Sequence, residues 1–191
     1  MTGKLSLDRK TTALVVIDLQ KGIASRPTAP HSAETVISNA AKLAEAFRKD
    51  KMPVFLVRVA FSGPERLNPA TDETWTAPAN MPADWSELVD QLKRAESDVV
   101  ITKKQWGAFY GTDLDLHLRR RGIRTIVLCG IATNYGVEST ARFAYEYGYD
   151  QVFAEDAMSS MVAEAHAASV NFVLRRMGRV RATEEILQAL R

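Results

Sequence analysis

The sequence predicts an α/β fold built on a central, mostly parallel sheet of about six strands covered by helices on both faces. Two observations carry this expectation. Short β-rich apolar runs at 12–17, 54–59, 98–102, 125–129 and 151–154 lack in/out alternation, as strands buried on both faces do. Between them the apolar residues recur at helical spacing, and strands alternating with helices pair in parallel. With 191 residues, 46% of them hydrophobic, the chain can bury one substantial core, so a single domain spanning 1–191 is expected.

The elements follow in order. The run at 12–17 closes at Asp18 and is followed by Leu19, Gln20, Lys21 and Gly22. After a loop containing Pro27 and Pro30, Val36, Ile37, Ala40, Leu43, Ala44 and Phe47 mark an amphipathic helix that Met52-Pro53 ends. The second strand covers 54–59. From 60 to 81 periodicity disappears among prolines, Phe61 and Trp75, and a loop this long inside a compact domain is expected to cover a site or an interface. A helix is expected over 85–93, a strand over 98–102, and a helix over 113–121 stopped by Gly122. The fourth strand, 125–129, leads through a turn into a helix over 134–147 that ends at Gly148. The fifth strand, 151–154, is followed by Glu155, Asp156 and Ala157, then a helix over 164–177, a short strand at 179–181, and a last helix capped by Thr183.

Composition narrows the function. Lys plus Arg number 25 against 23 Asp plus Glu, a net charge of +2, which makes no electrostatic case for nucleic acid or a membrane surface. No apolar run reaches the ~18 residues of a membrane span. Residues 1–8 lack a signal-peptide core, and the single cysteine, Cys129, excludes an intrachain disulfide, so a cytoplasmic protein is expected. Its partner should be a small molecule or another subunit.

In a parallel sheet, ligands gather at the carboxyl ends of the strands. Asp18, Lys103 and the turn from Gly130 to Gly136 all fall there and are expected to converge. A carboxylate in an apolar crevice holds its proton, whereas a neighbouring ammonium favours its ionised form, so an Asp18–Lys103 pair sets a proton donor or acceptor near neutral pH. Successive strand residues face opposite ways, so Lys103 should enter the pocket and Lys104 should face solvent. The turn offers backbone N–H groups at a helix start. Gly136, in the first helical turn, costs roughly 1 kcal/mol relative to alanine, at a place where hydrolases often carry a nucleophile. Trp106, Phe109 and Tyr135 stand beside these positions and are expected to line the pocket. Cys129 lies inside an apolar strand and reads as a small buried hydrophobe. His31, His117 and His166 are scattered without metal-site spacing, so no catalytic metal is expected, and no phosphate loop or dinucleotide fingerprint supports a cofactor.

These residues resemble the isochorismatase-like family, the cysteine hydrolase superfamily, over nearly the whole chain. Residues 13–20, Ala-Leu-Val-Val-Ile-Asp-Leu-Gln, resemble the family's first strand and catalytic aspartate. Thr102-Lys103, with 107–114, resembles its lysine motif, and 130–134, Gly-Ile-Ala-Thr-Asn, its nucleophile turn. The strings at 105–114 and 136–142 are similar to the YecD-type branch. The resemblance implies a three-layer Rossmann-like sandwich, a homo-oligomer, a cis peptide at Ile131–Ala132, and substrate contacts from Gln20, Trp106, Phe109, Ile131, Ala132 and Tyr135. It also implies catalysis by Asp18 and Lys103, with Gly136 at the position of the cysteine that attacks amides in amidase members. Without that thiol, two chemistries stay open: vinyl-ether hydrolysis of the isochorismate type with Asp18 as general acid, and amide hydrolysis by activated water. A catalytically silent member that binds a metabolite is the third reading.

Overall fold

The computed structural model describes residues 5–61, 65, 67, 69–73 and 81–190. Six strands form one sheet: β1 (Thr12–Ile17), β2 (Val54–Val59), β3 (Val99–Lys103), β4 (Thr125–Ile131), β5 (Asp150–Ser159) and β6 (Arg179–Arg181). Their order is β3-β2-β1-β4-β5-β6, and every pairing is parallel. All six β1 side chains are buried, as expected of a central strand covered on both faces by helices. The chain runs outward from β1 to β3, then returns to the other side of β1 for β4. The switch point therefore lies between the carboxyl ends of β1 and β4, where α/β sheets bind ligands.

The helices are α1 (Lys21–Ala24), α2 (Ala33–Lys49), α3 (Leu114–Arg120), α4 (Glu138–Glu146), α5 (Ala163–Ala168), α6 (Arg175–Met177) and α7 (Thr183–Ala189). Ser32 caps α2 by accepting from the Thr35 N–H, and the helix buries Val36, Ile37, Ala40, Leu43, Ala44 and Phe47, the stripe read from the sequence. Arg48 near its end is locked to buried Asp98 by two hydrogen bonds of 3.0 and 2.7 Å, which tie α2 to the approach of β3. A π-helical turn, Ser169–Leu174, joins α5 to α6, so the helix expected over 164–177 is one continuous but irregular element.

Three expectations need correction. Residues 85–93 do not form a helix beyond a single 3-10 turn, Asp90–Leu92. The backbone of that stretch is engaged elsewhere: the Lys21 and Gly22 N–H groups donate to the Glu87 and Trp85 carbonyls, and Val89 N–H donates to Leu19. The fifth strand runs to Ser159, well past Ala154, because the charged residues sit in a bulge between its two pairings with β4. There Asp156 Oδ1 turns to accept from the backbone N–H and hydroxyl of Thr183, the first residue of α7 rather than its cap. The expected covering role of 60–81, Trp75 included, falls largely outside the described residues.

Gly130 brings β4 against β1. Its φ is +121°, and a β-carbon there would lie 2.0 Å from the Ile17 carbonyl oxygen. Among the described residues, no helix is long and apolar enough to cross a membrane.

Candidate active site

Asp18 is the first residue beyond β1, held at φ 53° and only 4% exposed. Lys103, the last residue of β3, lies two strands away, a span of roughly 10 Å that the lysine and aspartate side chains bridge together. Its ammonium donates to Asp18 Oδ2 at 2.7 Å and to the Trp106 carbonyl, with the side chain 1% exposed. Asp18 Oδ1 is buried and has no hydrogen-bond partner. Burial pushes the Asp18 carboxyl up to about 6, overcoming the opposing pull of Lys103. Lys104 faces the other way and pairs with Glu65 at 2.8 Å.

The third component comes from the turn after β4. The Ile131–Ala132 peptide is cis, as the resemblance implied. A π-helical turn, Thr133–Val137, follows without a side-chain cap and runs directly into α4. It carries Gly136 to the pair: a β-carbon built there would sit 3.0 Å from Asp18 Oδ2, 3.2 Å from Lys103 Nζ and 2.9 Å from Ile17 Cγ2. The three residues expected to converge therefore share one small volume.

The remaining expected residues divide. The Trp106 and Tyr135 rings, both exposed, stand 5.0 Å apart beside the pair and the turn. Ala132 is buried and its carbonyl accepts from the Tyr135 and Val137 N–H groups. Ile131 is wholly buried, backbone included. Phe109 is buried in an aromatic cluster with Tyr147 and Tyr149, at ring distances of 5.4 and 5.9 Å, instead of lining a pocket. Gln20 is also a strut: its amide donates to the Val59 and Trp85 carbonyls and accepts from Val59 N–H, joining the ends of β1 and β2 to the 85–89 stretch. Cys129 is buried and its thiol is pushed up to about 12 by burial, which keeps it inert.

Sequence reading overlooked Thr140. Its hydroxyl donates to the Gly136 carbonyl at 2.6 Å and accepts from Ala108 N–H at 3.1 Å, tying the turn to the loop after Lys103. A hydroxyl four residues after the turn glycine was the available signal. The histidines are not all scattered either: His31 and His166 meet at Glu155, the one metal-capable group of three such residues among those described.

A family model described as the isochorismatase domain matches residues 12–185. The isochorismatase family protein YecD of Escherichia coli O157:H7 is 54% identical over 188 residues, covering 97% of this chain and 100% of that protein. The structure of an isochorismatase family protein from Burkholderia thailandensis superposes with a TM-score of 0.91 at 44% identity, covering 97% of each chain. The ureidoacrylate amidohydrolase RutB of Caulobacter segnis is 34% identical over 191 residues, covering 87% of this chain and 77% of that one.

Proposed function

Because the chain belongs to the isochorismatase family of hydrolases, we propose that it hydrolyses a small, anionic metabolite by Asp18–Lys103 acid–base chemistry, without a cofactor and without a cysteine nucleophile. The favoured reaction is vinyl-ether cleavage of the isochorismate type. The observation that carries it is the side-chain-free position 136 set about 3 Å from both Asp18 Oδ2 and Lys103 Nζ. With no side chain at 136 to cover them, the Asp18 carboxyl and the Lys103 ammonium are left for a substrate that packs against the glycine.

In this reading Asp18, protonated at the oxygen that lacks a partner, delivers its proton to the methylene carbon of the enol ether. The oxocarbenium ion takes up water, one proton of which returns to Asp18, and the hemiketal collapses to an alcohol and pyruvate. An acid whose pKa lies near the working pH suits that transfer. Lys103 uses two of its three donors on Asp18 and Trp106, which leaves one for substrate charge. Trp106 and Tyr135 would flank the entrance, and the backbone of 132–136 would hold the polar end of the substrate. The same reading takes 1–191 as one domain acting in the cytoplasm as a homo-oligomer.

A second reading, amide hydrolysis by water that Asp18 activates as a base, is favoured by the likeness to RutB. The test is pyruvate release from isochorismate by wild type beside Asp18→Asn. Release that the substitution abolishes supports the proposal. Absence of release, with ammonia freed from a ureido or carbamoyl substrate, replaces it with the amidase reading. Turnover of neither class leaves a silent, metabolite-binding member.

A further inference from the structure

On the β5 side of the sheet, away from Lys103, three residues distant in sequence meet at one point. His31 lies in the loop before α2, Glu155 in the β5 bulge and His166 in α5. Both Nε2 atoms approach the same oxygen, Glu155 Oε1, at 3.1 and 3.0 Å, and the rings are nearly perpendicular at 5.8 Å. We propose that His31, Glu155 and His166 form a three-ligand site for a divalent transition-metal ion of the zinc class, with its fourth position open to the adjoining cavity.

The geometry is close to what such an ion requires. A tetrahedral centre with bonds of about 2.0–2.1 Å separates its ligand atoms by about 3.3 Å, so both nitrogen–oxygen edges already fit. All three candidate ligand atoms lie within 4.8 Å of one another, which leaves only the nitrogen–nitrogen edge to close. Two imidazoles and a carboxylate suit Zn(II) and Co(II) better than Mg(II) or Ca(II), which prefer all-oxygen sites.

His166 also has the outer partner that a ligating histidine needs. Its Nδ1 lies 2.8 Å from the Thr133 hydroxyl, which fixes the ring and presents Nε2 to the site. When Nε2 binds a metal, the proton must sit on Nδ1, and a hydroxyl serves that tautomer as an acceptor as readily as it serves the other as a donor. Glu155 and His166 also line a cavity of about 510 Å3 together with Pro30, Asn171 and Arg175, which provides access and room for a water or ligand on the metal. A bound ion would staple the His31 loop and α5 to the β5 bulge and, through Thr133, to the turn that carries Gly136.

The test uses the full chain, stripped with a chelator and titrated with Zn(II) by calorimetry and with Co(II) by visible absorption. One ion per chain is expected, with tetrahedral cobalt bands and a metal-dependent rise in melting temperature. His31→Ala and Glu155→Gln should each abolish saturation, and Thr133→Val should weaken binding about 10–100-fold. Asp18→Asn should bind as wild type does, so the result is independent of the proposed hydrolysis. Where His31→Ala loosens its loop, Glu155→Gln preserves the shape of the side chain and still decides. No saturable one-to-one binding by wild type, or equal binding by both ligand variants, overturns the proposal.

Discussion

Lys103 Nζ donates to one oxygen of Asp18 at 2.7 Å while the other oxygen, buried, accepts nothing. This asymmetry makes Asp18 a one-sided acid: one oxygen is held by the ammonium, and the other is available for a proton or a substrate. If Asp18 acts as the acid, kcat/KM should fall as pH rises through about 6. If it acts as a base, the same titration gives a limb that rises with pH. A pH–rate profile of wild type separates the two.

The same group affects stability. Its folded pKa of about 6 exceeds the ordinary 3.8, so the folded state binds the extra proton. Ionising this buried carboxyl removes roughly 3 kcal/mol progressively between about pH 4 and 6, all of it gone above that range. Denaturant melts at pH 4 and 7 should show the loss in wild type and a smaller pH dependence in Asp18→Asn.

Position 136 tolerates little. The β-carbon of Gly136→Ala would meet Ile17 Cγ2 at 2.9 Å and crowd both polar side chains. We expect a folded protein destabilised by ~1–3 kcal/mol and slowed at least about tenfold, from displacement of the reacting groups. Gly136→Cys adds the missing thiol at the same steric cost. Amidase activity that appears only in this variant would identify an amide-shaped pocket, whereas vinyl-ether activity in wild type alone would favour space as the purpose of the glycine.

Gly130→Ala is expected to be far worse. The new β-carbon meets a backbone oxygen at 2.0 Å and the backbone sits at φ +121°, so neither partner can yield without opening the β1–β4 pairing. A loss of ~4 kcal/mol or more is expected, seen as an insoluble chain or a collapsed melting temperature.

Asp98→Ala leaves the Arg48 guanidinium, mostly buried at 17% exposure, without its carboxylate and also removes the acceptor of Ala95 N–H. Breaking a buried pair on one side costs ~3–5 kcal/mol. Urea unfolding should show this, with the pH–rate profile unchanged because the pair lies at the start of β3 and Lys103 at its end.

The sequence by itself determined the sheet. Short β-rich apolar runs without alternation, set between helical stretches, read as strands buried on both faces, and the residues that end β1 and β3 and follow β4 then share one edge of the sheet, which is why Asp18, Lys103 and the Gly130–Gly136 turn were legible together. The pattern of α2 was equally plain, because one face of a long helix has nowhere to go but the core. What only the tertiary structure decided was the destination of each polar group and ring. Gln20 is spent on backbone that comes from two other segments, Phe109 turns into an aromatic cluster, and the backbone of 85–89 bonds to 19–22 instead of to its own helix. Charges hid the length of β5, since a bulge lets Glu155 and Asp156 leave a strand that their hydrophilicity seemed to end. His31, Glu155 and His166 meet only because that bulge turns a carboxylate toward a loop and a helix far away in sequence. The physical reason is common to all of these: periodicity records which face of an element is buried, whereas hydrogen-bond partners and ring contacts depend on what the fold brings to that face from elsewhere.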